Sequence, residues 1–334
     1  MKKLLSILSI LALAVMLLAS CGSDSFKQPK KKILPKISGK AGEVEVVCSK
    51  GDWDAEPGAA IRAVLAAECP YLPQPEALYT LFNVPFQAFN KVFQVHRNVI
   101  YMNIGPEHKE PKFQLNRDIW AEPQTVVLVE APDAVSAAVI IEQNAAELLA
   151  IFEQAERDRN ISAAKEFVNK EVRDKVIEFI GGSPYFPIGY CVKKVDEDFM
   201  WISYETTFTN QGFLIYRFPY EKESQLSAEE LALKRDEVTK IQIPCTTENS
   251  YMIINPMIKP GYEVLKYKGR EFAEMRGLWE AYNDFMGGPY ISHTFMRRDG
   301  KSVIVVDGFV YAPKYPKRNY LKQVESILYS FEWQ

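Results

Sequence analysis

The N-terminal segment constrains the rest of the chain most, because it determines where the remaining residues have to fold. The sequence opens with Lys2 and Lys3, followed by an apolar run from Leu4 to Leu18 and then by small residues. A charged start, an apolar run and a small-residue cleavage site are typical of a secretory signal. A retained membrane helix is the alternative, and the run is at the short limit for one. We therefore predict that residues 1–20 are a cleaved signal peptide.

The residues at the predicted cleavage site indicate a lipid anchor. Ala19 and Ser20 directly precede Cys21, and this arrangement resembles the processing box of bacterial lipoproteins. The resemblance implies cleavage before Cys21 and lipidation, with palmitate or similar chains, of its sulfur and new amino terminus. Several acyl chains on one residue give stable membrane attachment. Gly22 is not the acidic residue associated with inner-membrane retention, which favours the outer membrane, on its periplasmic face or at the cell surface.

Residues 21–40 have the composition of a lipidated cysteine followed by a flexible tether. Residues 22–40 contain six lysines, one aspartate and little apolar content, too little to form a core. Without these residues, Lys2 and Lys3, the chain keeps 32 basic and 42 acidic residues, so a basic tether precedes an acidic body. Anionic head groups attract such a tether, whereas the acidic body argues against nucleic acid as a partner.

Length and composition fit a globular body. The rest of the 334-residue chain is long enough for one large or two ordinary domains, and 47% of the chain is hydrophobic. The cysteines after the anchor are Cys48, Cys69, Cys191 and Cys245. An oxidising compartment permits disulfides between them, and buried thiols or one bridge fit their wide spacing equally well.

Apolar periodicity predicts an α+β fold with mixed or antiparallel sheets and packed helices. Residues 41–181 form a first predicted α+β unit, and residues 182–334 form a second that is richer in strands. The segment VTKIQIPC, residues 238–245, is among the strands predicted in the second unit. Asp299 and Gly300 are predicted to form a two-residue hairpin turn.

Capping residues set the predicted helix ends in the first unit. Asp133 is placed to begin a long helix that runs to about Arg159. Ser162 is placed to begin the next helix, and Gly181 to end it in the left-handed conformation that favours glycine.

Two segments of the chain resemble each other. TVVLVEAPDAVSAAVIIEQNAAELLAIFE and VIVVDGFVYAPKYPKRNYLKQVESILYSFE both read as a strand, Ala-Pro, a loop and a helix that ends Phe-Glu. Two related α+β units in tandem would explain this likeness. Two unrelated strand–proline–helix segments explain it almost as well.

The stretch RGLWEAYNDFMGGPYISHTF, residues 276–295, is dense in aromatic residues and glycines. In and just before it, apolar residues recur at helical spacing: Phe272, Met275, Trp279, Tyr282 and Met286. This spacing predicts a buried helix over residues 269–286, ended by Gly287 and Pro289. Another face of that helix carries weaker candidates for ligand binding, for which a solvated surface is the favoured interpretation: Arg276, Asn283 and Asp284.

Several linked motifs resemble one bacterial lipoprotein family. They are RGLW, NDFMGGPYIS and GFVYAPKYPKRNYLKQVESILYSF, with GEVEVVCSKGDW, LPQPE and HRNVI earlier in the chain. Together they resemble the family described as domain of unknown function 4837, over nearly the whole chain after the tether. The resemblance implies an exported, lipidated α+β protein. The family has no established activity, so the resemblance implies no catalytic residue.

No recognised catalytic motif is present in the sequence. The three histidines, His96, His108 and His293, are far apart, which argues against a histidine-based metal site. No GxSxG, HExxH or phosphate-binding glycine loop occurs, and we predict neither a metal nor a cofactor. Glycoside hydrolysis needs two carboxylates across a cleft. Several acidic residues are available for such a pair: Glu43, Glu45, Glu271, Glu274 and Asp284.

The segment APKYPKRNY, residues 312–320, is the main basic cluster of the acidic body. Its candidate ligand-binding residues are Lys314, Tyr315, Lys317, Arg318 and Tyr320. Cations are locally unfavourable at the start of a helix, and residues that break a local rule are enriched at functional sites. We predict that the bases, the tyrosines and the free N–H groups of the following helix form an anion-recognition patch. A solvated basic loop is the alternative.

These features favour an envelope protein that binds a ligand. The leading hypothesis is a non-enzymatic module for an envelope glycan or a partner protein. The alternative is a glycan- or peptidoglycan-acting hydrolase with paired carboxylates. Two carboxylates facing each other in a deep cleft would favour the hydrolase, and a shallow aromatic patch would favour binding.

Overall fold

A computed structural model describes residues 33–245 and 247–334 of the chain. The predicted signal peptide, Cys21 and most of the predicted tether lie outside these residues. Residues 35–334 form one compact body, and this body contains two α+β units, each built on its own sheet. The predicted fold class is therefore confirmed.

The first unit is built on a five-stranded, mostly parallel sheet. Its strands in chain order are β1 Glu43–Val47, β2 Thr80–Val84, β3 Asn98–Ile104, β4 Lys112–Arg117 and β5 Thr125–Ala131. The spatial order is β2-β1-β3-β5-β4, and only β4 is antiparallel to its neighbour. The buried central strands are rich in Val and Ile, as parallel strands covered on both faces are. The polar edge strand β4 was not predicted, because it has no continuous apolar run.

Helices of the first unit cover this sheet. They are α1 Lys50–Asp54, α2 Glu56–Leu65, α3 Lys91–Gln94, α4 Ala134–Gln143 and α5 Ala145–Glu166. Asp133 caps α4 as predicted, because its side chain accepts a hydrogen bond from the backbone of Ser136. The predicted helix to Arg159 is instead divided at Asn144, where the axis bends by 67°. The predicted helix start at Ser162 is wrong, because Ile161 and Ala164 keep α5 packed and continuous through that position.

Among the described helices, none is by itself long and apolar enough to cross a membrane. The bent pair α4 and α5 has the length and apolar composition of a membrane span only when the two helices are taken together.

The second unit is built on an eight-stranded antiparallel sheet. Its strands are β7 Cys191–Val195, β8 Phe199–Glu205, β9 Asn210–Pro219, β10 Tyr251–Ile254, β11 Gly261–Tyr267, β12 Arg270–Tyr282, β13 Gly287–Met296 and β14 Ser302–Tyr311. Their spatial order is β10-β12-β13-β14-β9-β8-β7, and β11 also pairs with β12. A separate two-stranded sheet pairs β6 Gly182–Ser183 with β15 Glu332–Trp333. The helices are α6 Lys170–Ile180, the 3-10 helix Glu223–Leu226, α7 Ala228–Gln242 and α8 Arg318–Tyr329.

Helices cover both faces of the large sheet. Alternate residues of β9 point to opposite faces: Phe213 packs in the core that includes residues of α6 and α8, and Leu214 packs in the core that includes Leu231 of α7. A fully buried ion pair also joins α7 to the sheet, since Arg235 Nε lies 2.8 Å from Asp307 Oδ2. The sheet therefore forms the middle layer of three.

The helix predicted over residues 269–286 is wrong, because Arg270–Tyr282 is strand β12. Met275 and Trp279 do share a buried face, but a spacing of four residues fits a strand period of two as well as a helical turn. Gly287 does not end a helix, since it opens β13 and lies opposite Glu280.

Two other local predictions in the second unit need correction. Residues 238–245 are not a strand, because α7 continues to Gln242 with Thr239 on its buried face. Asp299 and Gly300 do lie in the hairpin turn, and Gly300 has the expected positive φ of 67°. The connection is longer than the predicted two residues, since β13 ends at Met296 and β14 begins at Ser302.

The boundary between the units lies before α6. Gly181 ends α6 in the left-handed conformation, as predicted. The apolar residues Val172, Val176 and Ile180 pack in the core of the second sheet, so the predicted division after residue 181 places α6 on the wrong side. The two sheets also differ in topology. The likeness between the two copies is therefore limited to β5–α4 and β14–α8.

Residues 35–40 belong to the folded body and not to the predicted flexible tether. Ser38 N donates to Val95 O at 2.8 Å, and Arg97 N donates to Ser38 O at 3.0 Å. Glu122 N donates to Pro35 O at 2.9 Å. These backbone bonds offset the low apolar content that suggested a flexible segment. The four cysteines of the described part are free thiols, with Cys48 and Cys69 buried, Cys191 exposed and Cys245 half-buried.

Candidate functional site

The two units meet where α5 lies beside α8. Arg157 Nη2 on α5 donates to Glu325 Oε1 on α8 at 2.8 Å. One turn away, Lys322 of α8 forms an ion pair with Glu153 of α5. These side chains come from sequence positions more than 160 residues apart, so the ion pairs form only when the two units are docked.

A cleft of about 500 Å³ opens between the units beside these helices. The volume is within the range of about 300–1,000 Å³ that is usual for small-molecule sites. Tyr71 and Tyr262 contribute aromatic surface to its wall. Its charged lining residues are Glu153, Arg157, Glu263, Glu274, Arg276, Lys322 and Glu325.

Arg276 of β12 joins the two most buried carboxylates of the cleft. Its Nε donates to Glu274 Oε1 at 2.5 Å, and its Nη2 donates to Glu325 Oε1 at 2.9 Å. Glu325 therefore accepts from both Arg276 and Arg157. The side chain of Arg276 keeps 28% of its surface exposed, so the guanidinium also faces the cleft.

Glu274 is held from its other side by two aromatic residues. His293 Nε2 lies 3.0 Å from Glu274 Oε2, and the Tyr329 hydroxyl donates to the same oxygen at 2.9 Å. The His293 ring packs on Phe272, with 4.1 Å between ring centroids. Burial lowers the pKa of His293 to about 4 and outweighs the opposing effect of Glu274. His293 is therefore neutral at pH 7, and the contact with an acceptor-only carboxylate assigns its proton to Nε2.

Glu274 and Glu325, the two most buried carboxylates of the cleft, are ionised at neutral pH. Burial raises the pKa of Glu274. The hydrogen bond with His293 and the charge of Arg276 lower this pKa by a larger amount, so that its value is about 2. Burial likewise raises the pKa of Glu325, and the charges of Arg276, Lys322 and Arg157 bring it well below the usual range. Neither group carries the proton that a general acid donates at pH 7.

One weaker candidate from the sequence lies in this cleft and the other two do not. Arg276 is its central cation. Asn283 and Asp284 lie in the turn between β12 and β13, where Asn283 has a φ of 58° and Asp284 Oδ2 accepts from Thr247 Oγ1 at 2.7 Å. The helix that was predicted to place all three residues on one face does not exist.

Most of the acidic residues proposed for hydrolysis are distributed over separate places. Glu43 accepts from the backbone of Lys40, Glu45 is fully buried in the first sheet, and Glu271 lines a different cavity. Glu43 and Glu45 both approach His96, with Glu43 Oε2 3.6 Å from Nε2 and Glu45 Oε2 4.0 Å from Nδ1. Glu274 shares Arg276 with Glu325, which was not among the candidates.

Two of the backbone N–H groups in the predicted anion patch at residues 312–320 are already bonded within the chain. Glu76 of the first unit accepts hydrogen bonds from Lys317 N at 2.6 Å and from Arg318 N at 3.0 Å. Lys317 is buried, and its Nζ donates to Gln74 Oε1 at 2.6 Å. The start of α8 therefore already holds an anion that the chain supplies.

The remaining members of the predicted patch contact the second unit, and the backbone oxygen of Tyr315 accepts from Lys317 Nζ at 3.3 Å. Lys314 Nζ lies 4.1 Å from the centroid of the Phe208 ring, and Tyr315 packs edge-on against the same ring. Tyr320 is half-buried beside the core of the second unit.

The sequence carried one signal for the residues that were missed. On α8 the buried face repeats through Leu321, Val324 and Leu328, and Glu325 is enclosed with them. A carboxylate at a core position of an amphipathic helix is almost never buried without a partner. That partner could not be identified from the sequence. Within residues 33–245 and 247–334, no three His, Cys, Asp or Glu side chains gather as they would around a metal ion.

Fold and site together define a two-unit α+β protein with a charged cleft between its units. Residues 169–330 match the family model described as "Domain of unknown function (DUF4837)". The resemblance to this family seen in the sequence is thereby confirmed over residues 169–330, which correspond to the second unit. Residues 38–165 match a different family model, "Domain of unknown function (DUF8532)". The DUF4837 match therefore covers the second unit. It does not extend over nearly the whole chain after the tether, as the sequence motifs had indicated.

A comparison with curated proteins gives no match. A solved structure of a point mutant of protein Mog1 is similar to this chain with a TM-score of 0.30 and 12% identity, over 46% of this chain and 90% of that one.

Proposed function

We propose that this protein is an exported, lipid-anchored envelope protein whose folded body is a non-enzymatic binding module for an envelope glycan or a partner protein. The N-terminal sequence supports export and anchoring, since a signal-like segment ends at a lipoprotein-type Cys21. The ligand site is assigned to the cleft between the two units.

The observation that carries the binding hypothesis is the position of Arg276 between Glu274 and Glu325. A glycoside hydrolase uses one carboxylic acid as a proton donor and a second carboxylate as base or nucleophile. The donor needs a raised pKa, as in a hydrophobic pocket. Here the pKa values of both groups are lowered. The alternative, a hydrolase with paired carboxylates, is therefore not supported by Glu274 and Glu325.

The lining of the cleft suits recognition of a polar ligand. Nη1 of Arg276 has no hydrogen-bond acceptor within the described residues, while Nε and Nη2 are held by carboxylates. A guanidinium fixed in this way is preorganised to donate to a ligand. Tyr71 and Tyr262 supply rigid, amphipathic surface beside it.

The proposal can be tested with purified peptidoglycan sacculi and with delipidated envelope extract. The purified protein is expected to sediment with one of these materials and to release no soluble fragments from the sacculi. Tyr71→Ala, at the cleft, should weaken binding at least fivefold. Tyr315→Ala is the matched control, because Tyr315 is exposed and lies outside the cleft.

Three results would contradict the proposal. Soluble fragments released by the wild type and not by Glu274→Gln or Glu325→Gln would establish the hydrolase. Loss of binding in Tyr315→Ala with full binding in Tyr71→Ala would return the site to residues 312–320. If Tyr71→Ala and Tyr315→Ala both bind as tightly as the wild type, the cleft is not the binding site.

A further inference from the structure

A second concave region lies beside the β11–β12 hairpin of the second sheet. Strand β12 pairs with both β11 and β13 over residues 273–276, but residues 270–272 pair with β11 alone. Phe295 and Met296 of β13 pair with β14 and not with β12. The β11–β12 hairpin therefore diverges from β13. Cavities of about 1050 Å³ and 420 Å³ lie beside this divergence, and both are lined by Lys268, Arg270 and Trp333.

The smaller of these cavities has a basic lining. Its cationic lining residues are Lys165, Lys268, Arg270 and Arg298. Its one acidic lining residue, Glu332, is engaged by Lys165 at 2.6 Å and by the Tyr185 hydroxyl at 2.6 Å. This excess of positive charge is opposite in sign to the charge of the body as a whole, and it raises the local concentration of anions.

Arg270 is the half-buried cation of this lining, and no carboxylate of the described residues pairs with it. Its hydrogen bond within the described residues is a long one, from Nη2 to Leu328 O at 3.3 Å. Its Nη1 is buried without a hydrogen-bond partner there. Three phenylalanine rings surround its guanidinium at 4.8–5.1 Å: Phe272, Phe295 and Phe331.

Other enclosed arginines of the second unit and its interface are satisfied differently. Three of them bond carboxylates: Arg157, Arg235 and Arg276. Burial lowers the pKa of Arg270 to about 10, since no carboxylate opposes that effect. Aromatic faces stabilise a guanidinium only in part, and a buried cation is ordinarily paired.

We propose that the smaller cavity beside Arg270 forms a binding site for an oxyanion, a carboxylate or phosphate, carried by a ligand with a flat or sugar-like body. The guanidinium of Arg270 would bond the anion, and Lys268 and Arg298 would add charge at the rim. Trp333 and Tyr267 line the cavity and would contact the ligand body. This site is separate from the cleft between the units, and the inference does not depend on what the cleft binds.

The test uses three sugars that differ in one group. N-acetylmuramic acid carries a carboxylate, N-acetylglucosamine 6-phosphate carries a phosphate, and N-acetylglucosamine is neutral. Titration of the purified protein by calorimetry should show binding of at least one charged sugar and at least tenfold weaker binding of the neutral one. The preferred charged sugar identifies the anion, and its affinity should fall as salt is added.

Variants assign the binding to this site. Arg270→Met should weaken binding of the charged sugar at least tenfold, and Lys268→Met, at an exposed position, about threefold. Arg217→Met is the matched control, because Arg217 also lies over a phenylalanine ring, Phe179 at 4.9 Å, and is not among the residues lining either cavity. It should bind like the wild type.

The proposal is overturned if neither charged sugar, nor inorganic phosphate at 10 mM, binds. It is also overturned if the neutral sugar binds equally well, or if Arg270→Met and Lys268→Met bind like the wild type. A lower melting temperature in Arg270→Met with unchanged binding would show that Arg270 serves only to hold the end of α8. Lys268→Met changes an exposed residue and should leave the fold intact, so weaker binding by this variant would not be caused by unfolding.

Discussion

Glu76 and Lys317 are 241 positions apart in the sequence, yet the carboxylate of Glu76 accepts a hydrogen bond from the backbone of Lys317 at 2.6 Å. Glu76 comes from the first unit, and Lys317 precedes the first residue of α8 in the second. The contact explains why two cations occur at the start of this helix. The negative charge that suits a helix N-terminus is supplied from the other unit.

The first prediction concerns this contact. Lys317→Glu should lower the free energy of unfolding by about 2 kcal/mol, because it places a second carboxylate beside Glu76 at a buried position. Lys314→Glu is the control, since Lys314 is exposed and its change should cost less than about 1 kcal/mol. Urea denaturation measures both. Equal stability of the two variants would mean that Lys317 is solvated, as the sequence alone suggested.

The second prediction concerns Trp279, which is 2% exposed and donates from Nε1 to Val310 O at 3.2 Å. Trp279→Ala should cost about 3–5 kcal/mol, the usual effect of emptying a buried aromatic site. Tyr282→Ala, on the same strand at 46% exposure, should cost less than about 1.5 kcal/mol. A melting temperature for Trp279→Ala close to that of the wild type would reject the core assignment.

Much of the fold could be predicted because local rules and the tertiary structure agree. The apolar runs of β1, β3 and β5 form strands, and Asp133 and Gly181 cap helices as expected. Strand β12 could not be predicted in the same way. Its buried residues Met275 and Trp279 are four positions apart, which fits a helix and a strand equally.

The candidate site could be predicted only in part, because docking of the two units creates it. Arg276 was selected as part of a helix face, but its importance comes from Glu274 two residues away on the same strand and from Glu325 on α8. No periodicity places β12 beside α8. The sequence likewise could not show that Glu76 reaches the start of α8, since this contact exists only in the docked structure.

The third prediction concerns the anchor, which lies outside the described residues. Cys21→Ala should release the protein from membranes or leave it unprocessed, because the sulfur that would accept lipid is lost. Membrane fractionation and the mass of the mature chain test this. A variant that is trimmed to the wild-type length and still sediments with membranes would refute the lipoprotein assignment.

The fourth prediction concerns Glu45, which is fully buried and whose carboxylate oxygens have no hydrogen-bond partner within the described residues. Burial raises the pKa of Glu45 to about 8. The folded chain therefore keeps a proton that the unfolded chain releases near pH 4.5, and stability from this group is lost as pH rises between those values. Glu45→Met should stabilise the protein by about 2–4 kcal/mol at pH 8 and by less at pH 5.

A second variant at this position separates the titration from the polarity of the side chain. Glu45→Gln removes the proton but keeps a buried polar group, so its gain at pH 8 should be smaller than that of Glu45→Met. Denaturation curves at pH 5 and pH 8 provide the comparison. A difference between wild type and Glu45→Met that does not grow with pH would show that Glu45 is ionised in the fold.

The fifth prediction concerns His293, and its sign is opposite. The pKa of His293 is lowered by burial to about 4, below its value of about 6.5 in an unfolded chain. Between these values the unfolded chain binds a proton that the folded chain does not, so stability is lost as pH falls from 6.5 towards 4.

His293→Gln keeps a donor for Glu274 but does not titrate. The stability advantage of the wild type over His293→Gln should therefore shrink by about 2 kcal/mol between pH 6.5 and pH 5. Measuring the difference in the Glu45→Met background removes the opposing titration of Glu45. An advantage that stays constant over this range would mean that His293 is protonated beside Glu274, and the carboxylate would then be held by two cations.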